Sequence, residues 1–153
     1  SLEEAIKAFP TSTIFIVGGI FPLSKALVSS GAAEYLVNAI SPVLSNLPPI
    51  VLLGAITFLM LLTTQFLMNS SATVLVLPIA IMLCQAAGIN PLAGAMSVSV
   101  CASGAFVTPF GTAPNLLVWE AGGYSVKDYL KCGFPMLIIF GVVTTALCAV
   151  FYL

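Results

Sequence analysis

Charge is what this sequence has least of. Only 6% of its 153 residues are charged, four basic against five acidic, and nothing charged lies between Glu34 and Glu120. Soluble domains carry about 25% charged residues, so a water-soluble fold is excluded. A bilayer core explains the gap, because an ion at its centre costs at least ~2.5 kcal/mol even on the mildest scale. All the basic residues are lysines, and histidine is absent. A net charge of −1 without a basic cluster excludes nucleic acid as a partner. With no histidine, no HExxH motif and no paired aspartates in the apolar runs, intramembrane enzyme chemistry has no groups to work with. The same lack of Asp and Glu argues against a proton relay, which runs through intramembrane carboxylates. Cysteine is sparse: Cys84, Cys101, Cys132 and Cys148 sit singly in apolar runs, as small core residues rather than metal ligands or disulfides. The first residue is Ser1 rather than Met, and Glu3, Glu4 and Lys7 do not make a signal peptide, as expected of a processed chain or a fragment. No internal repeat is visible.

What is present is apolar, at 60% hydrophobic residues and a mean hydropathy of +1.18. Residues 1–9 read as a charged surface helix ended by Pro10. Residues 11–28 read as a transmembrane helix weakened by Gly18, Gly19 and Pro22. In residues 30–47 Glu34 and Asn38 share a face, which predicts an interfacial helix, closed by Pro42 and Pro48-Pro49. Residues 50–87 then run uncharged; as one helix they would span about 57 Å, roughly twice the hydrocarbon thickness, so the run has to break. The polar tip at 69–73, preceded by Thr63, Thr64 and Gln65, is the expected place. Two readings stand: two full spans joined by an external turn, or a re-entrant hairpin over 50–88 whose tip lies inside the membrane. The arm 72–86, about 22 Å as a helix, is short for a span and favours the hairpin.

Residues 91–119 form a broken transmembrane helix on this reading. It is rich in small residues, and Pro109 and Pro114 on either side of Gly111 predict an unwound stretch at 108–115. A polar connection over 120–131 follows, with Trp119 and Tyr124 as interface anchors, and residues 133–153 make the last transmembrane helix. Lys7, Lys127 and Lys131 fall on one side of the membrane against Lys25 on the other. That places the N-terminus of the segment in the cytoplasm and its C-terminus outside.

Irregular backbone at membrane depth is tolerated only where it faces protein or a watery cavity. Broken elements of this kind build the binding sites of secondary transporters. Half-helix N-termini face an anion, while exposed carbonyls and half-helix C-termini hold a cation. Amide and hydroxyl side chains serve both jobs without a full charge, which suits an oxyanion bound beside Na⁺. The bland readings are an extramembrane turn at Asn69-Ser70-Ser71 and plain helix packing by Gly94, Ser97, Ser99, Ser103 and Gly104. Thr64 and Gln65 suit either support of the tip or a bond to a neighbouring helix, and Glu120 marks the water interface.

Three stretches, VGGIFPLSKALVSSGAAEYL, TTQFLMNSSATVLVLPIAI and CASGAFVTPFGTAPNLLVW, occur in this order. Together they resemble the C-terminal half of the divalent anion:sodium symporters, the sodium-coupled dicarboxylate and sulfate transporters. The resemblance runs over essentially the whole chain. It implies an all-α integral membrane protein with a re-entrant hairpin and a broken helix, one inverted repeat of a secondary transporter. The family's Ser-Asn-Thr hairpin tip is represented by Asn69, Ser70 and Ser71, with Ser70 where the family has its amide. Its Thr-Pro-Pro-Asn-like loop is matched by Thr112, Ala113, Pro114 and Asn115 after Pro109. These seven residues are thereby expected to bind substrate, and Thr64, Met68, Ser70, Thr73, Thr108 and Gly111 to hold Na⁺. The implied function is sodium-coupled uptake of a small di- or tricarboxylate or sulfate-like anion, with no cofactor beyond the coupling ion. The implied partners are a missing N-terminal half or a second chain, the lipid bilayer and a second copy in a homodimer. An arsenite or other inorganic-ion transporter and a non-transporting assembly module are the alternatives.

Overall fold

The computed structural model describes residues 47–153 and, ahead of them, positions 22, 26, 29–32 and 35. The expected surface helix 1–9, transmembrane helix 11–28 and nearly all of the interfacial helix 30–47 lie outside the described residues. Within them the chain is helical: α1 (Pro49–Phe66), α2 (Asn69–Ala86), α3 (Pro91–Cys101), α4 (Ala113–Gly122) and α5 (Val126–Tyr152), with no strand. Three of these helices, α1, α2 and α5, are long and apolar enough to cross a membrane.

The long uncharged run does break, but at Leu67 and Met68, whose extended dihedrals separate α1 from α2. The expected tip, 69–73, is the start of α2 instead. Its polar side chains are compatible with helix: the Thr73 hydroxyl donates to the Asn69 carbonyl one turn back, at 2.8 Å. With these residues included α2 has 18 residues, the same as α1. That is about 27 Å, so length no longer separates a re-entrant pair from two spans.

The second break also moves. α3 stops at Cys101 and α4 begins at Ala113, so the unwound stretch is 102–112 rather than 108–115. Pro114 occupies the first turn of α4, where a missing N–H costs nothing. The last helix starts earlier than expected. Ser125 and Asp128 form a capping box that draws the second half of the polar connection into α5, which runs for 27 residues.

α3 lies at the centre, packed on α1, α2 and α5, and α1 also packs on α2 and α5. The core follows helical spacing, with Leu52, Leu53, Ile56, Met60 and Leu61 from α1 and Ala72, Val76, Ala80, Leu83 and Cys84 from α2. Small residues set the closeness of approach. A Cβ on Gly94 would stand 2.7 Å from Cys84 Sγ and 3.1 Å from the Ala80 carbonyl oxygen, so α2 and α3 meet there only because the position is glycine. Gly94, Ser97 and Gly104 are buried as packing residues should be, whereas Ser99 and Ser103 are exposed. On the α5 side, Gly133 lies against the Phe106 carbonyl and the Val107 backbone, and Phe106 meets Phe140 edge-to-face at 5.4 Å.

Candidate functional site

The end of α1 and the unwound stretch are held together by two polar residues of α1, Thr64 and Gln65, both buried. Gln65 is 4% exposed. Its Nε2 donates to the Leu61 carbonyl at 2.7 Å and across to the Gly104 carbonyl at 2.8 Å. Its Oε1 accepts from the Val107 N–H at 2.9 Å, and its own carbonyl accepts from the Thr108 hydroxyl at 2.7 Å. Thr64 Oγ1 lies 2.8 Å from the Ala102 carbonyl and 3.0 Å from Asn69 Oδ1. One hydroxyl has one proton, so both contacts are satisfied together with the Asn69 amide turned to donate. Of the two sequence readings for this pair, the structure selects bonding that supports the turn and the neighbouring broken helix at once. An unwound main chain in an apolar core needs such partners.

The other end of the break is tied by Asn115. Its Nδ2 donates to the Ala105 carbonyl at 2.6 Å and to the Thr108 carbonyl at 3.2 Å, while its own carbonyl accepts from the Tyr129 hydroxyl at 2.8 Å. Asn115 therefore closes the loop on itself, and Tyr129 anchors the loop to α5.

Between the α1–α2 turn and the break lies a cleft of about 380 Å³, lined by Met68, Asn69, Ser70, Phe110, Gly111, Thr112, Pro114 and Leu116. No lining side chain is ionisable. Two helices begin on this cleft, α2 at Asn69 and α4 at Ala113, and neither has a side-chain cap. In α2 the first N–H to bond back is that of Ala72, to the Met68 carbonyl, which leaves those of Asn69, Ser70 and Ser71 without acceptors among the described residues. In α4 the first is that of Leu116, to the Thr112 carbonyl, and Pro114 has no N–H, which leaves that of Asn115 without an acceptor among the described residues. Each helix start carries about half a positive charge. An uncharged cleft flanked by two of them attracts an anion and offers it N–H donors.

Of the residues expected to contact substrate, Asn69, Ser70, Thr112 and Pro114 line the cleft. Ala113 is the first residue of α4. Ser71 does not line it, and Asn115 faces the inside of the break. Of those expected to hold a cation, Met68, Ser70 and Gly111 line the cleft, while Thr64 and Thr108 form the bonds just described. A Cβ on Gly111 would come within 3.0 Å of Thr108 Oγ1 and 3.3 Å of the Thr64 carbonyl oxygen, so these three are neighbours. Thr73 sits a turn deeper, bonded within α2. Tyr129 carried no sequence signal of a role, since a tyrosine in a polar connection reads as an interface residue.

The sequence profile described as "Sodium:sulfate symporter transmembrane region" matches residues 7–153. The chain belongs to this family of membrane transporters. Members are symporters that use Na⁺ as coupling ion, not enzymes. Among similar proteins, an uncharacterized transporter of Synechocystis is 32% identical over 149 residues, covering 97% of this chain and 24% of that protein. Solute carrier family 13 member 2 of Mus musculus is 33% identical over 138 residues, 90% of this chain and 23% of its own length. The Na(+)/citrate cotransporter of Rattus norvegicus is 32% identical over 130 residues, 85% of this chain and 23% of its own length. The chain thus spans about a quarter of the length of the curated relatives it matches.

Proposed function

We propose that this segment carries half of the transport site of a sodium-coupled secondary transporter, which takes up a small di- or tricarboxylate or a sulfate-like anion by alternating access. One observation carries the reading: two uncapped helix N-termini open on one uncharged cleft. Helix starts with spare N–H groups and no carboxylate nearby favour an oxyanion. The rat relative, a Na⁺/citrate cotransporter, agrees with that chemistry.

In this reading the starts of α2 (Asn69, Ser70, Ser71) and α4 (Thr112, Ala113, Pro114, Asn115) hold the anion, with Asn69, Ser70, Thr112 and Pro114 lining its place and the spare N–H groups of Asn69, Ser70, Ser71 and Asn115 as donors. Na⁺ is cargo beside it, held by oxygens around Thr64, Met68, Ser70, Thr73, Thr108 and Gly111, where the end of α1, the start of α2 and the unwound stretch meet. The α1–α2 pair is re-entrant. α3 and α4, at 11 and 10 residues, are each about half a bilayer long, so the break between them lies near mid-depth. The α1–α2 turn is bonded to that break and shares its depth. An N-terminal half or a second chain supplies the other part of the site, the assembly is a homodimer, and the N-terminus of the segment is cytoplasmic with the C-terminus outside.

Reconstituting the complete transporter in liposomes tests this. Succinate, citrate or sulfate is expected to accumulate under an inward Na⁺ gradient and not under K⁺. Equal uptake without any cation gradient would reject sodium coupling. Arsenite uptake with none of the three anions would move the protein to an inorganic-ion scaffold.

A further inference from the structure

Gln65 spends every side-chain hydrogen-bonding group on main chain, and three of the groups it meets belong to a different segment. Two donors go to the carbonyls of Leu61 and Gly104, the acceptor takes the Val107 N–H, and the residue's own carbonyl takes the Thr108 hydroxyl. Asn69, the first residue of α2, follows four positions later. Thr112, the N-cap of α4, follows Thr108 by the same interval. The two uncapped helix starts are therefore connected through one buried amide. We infer that Gln65 is a positioning residue, which fixes the separation of the two helix N-termini that open on the cleft and so sets affinity for the anion bound between them. The part concerning affinity rests on the transport reading above; the clamp itself does not.

An amide is the group suited to this place. It offers two donors and one acceptor to two carbonyls and one N–H, and it keeps them at any pH. A carboxylate has no donor and would turn lone pairs toward both carbonyl oxygens, whereas a protonated carboxyl recovers one of the two donor bonds and the acceptor bond. The surroundings supply no counter-charge. α1, α2, α3 and the 102–112 stretch contain no charged residue, and their only titratable groups are the thiols of Cys84 and Cys101. From α5, Lys127, Asp128 and Lys131 stand in the first turns, with Tyr129, Cys132, Cys148 and Tyr152 along the helix, and none of these bonds to Gln65. α4 adds Glu120 near its far end.

The test uses two variants of the complete transporter, each compared with the unaltered protein at the same pH. For Gln65→Ala, hydrogen exchange at the Val107 amide is expected to speed up by about tenfold, since a lost buried bond is worth ~1.4 kcal/mol. The KM for the transported anion, assayed with succinate, citrate and sulfate in turn, rises by a similar factor while the turnover number stays within a few-fold. For Gln65→Glu, exchange and KM are disturbed at pH 8 and return toward the unaltered values at pH 5.5. Recovery at acid pH also shows that the variant folds. Unchanged Val107 exchange in Gln65→Ala, or disturbance in Gln65→Glu that is the same at both pH values, would overturn the clamp. Faster exchange with an unaltered KM would overturn its effect on affinity. Absence of Na⁺-driven uptake in the unaltered protein would reject the transport reading and leave the exchange result to judge the clamp alone.

Discussion

The helix starts in this molecule fall into two groups. α3 and α5 begin with side-chain caps: Asn90 accepts from the Leu92 N–H at 3.0 Å, and Ser125 and Asp128 form a reciprocal box. α2 and α4 begin on the cleft without one. α1 also lacks a side-chain cap, but Pro49 has no N–H to satisfy and Val51 bonds back to the Pro48 carbonyl, so little is left open. The cleft ends are different: Met68 at the N-cap of α2 has no oxygen to cap with, and no polar side chain beside either start accepts from its N–H groups. Asn69 turns its amide to Thr64, and Thr112 sits at the N-cap position without accepting a bond. A cap satisfies N–H groups permanently and lowers the energy of the helix. Leaving four of them, those of Asn69, Ser70, Ser71 and Asn115, unmet among the described residues beside an uncharged cavity is costly unless something else, water or an anion, takes their place.

The contrast breaks most sharply if a cleft end is given the cap it lacks. Thr112→Asp puts a carboxylate at the N-cap of α4, where it satisfies the helix and gains up to ~1 kcal/mol of stability. The same charge repels an incoming anion by about 4 kcal/mol at ~4 Å and an effective dielectric of 20, roughly a thousandfold in affinity. Thermal unfolding and Na⁺-driven uptake of the complete transporter should move in opposite directions, with a firmer fold and no measurable uptake. Retained uptake in a stabilised variant would show that the start of α4 faces no anion.

A middle-sized effect is expected at Asn115, whose side chain closes the break. Asn115→Ala leaves the Ala105 and Thr108 carbonyls without their donor. Orphaning buried acceptors costs ~2 kcal/mol, so both stability and apparent affinity should fall, affinity by about thirtyfold. If affinity fell while the melting temperature held, Asn115 would be a direct ligand rather than a tie within the loop.

Much of this arrangement was legible in the sequence, and the misreadings have one cause. That the uncharged run breaks and that a second break follows came from length, proline spacing and the cost of ions in lipid. The first break is placed by the polarity of side chains and the second by proline spacing, and both signals mark helix starts as well as loops. Asn69, Ser70 and Ser71 looked like a turn and are the first turn of α2; Pro114 and Asn115 looked unwound and open α4. The true unwound segment, 102–112, begins in a run of small residues that reads as helix packing. What exposes it is the set of partners supplied from elsewhere, by Thr64, Gln65 and Asn115, and those contacts span up to 43 positions of sequence. The early start of α5 had a local signature, the Ser125–Asp128 spacing, which the polar composition of the connection obscured.

The smallest effect sharpens the comparison from its other side. Asn90→Ala removes a cap that faces no cleft, at the start of α3 opposite the end that leads into the break. Loss of an N-cap of this type costs ~1 kcal/mol. Because Pro91 follows and has no N–H, only one first-turn donor, that of Leu92, loses its partner. The melting temperature should drop slightly while KM for the transported anion and its Na⁺ dependence stay at their unaltered values. A change in KM comparable to that of Asn115→Ala would mean that the α3 start is coupled to the cleft through the helix. The division between caps that serve stability and bare ends that serve binding would then be wrong.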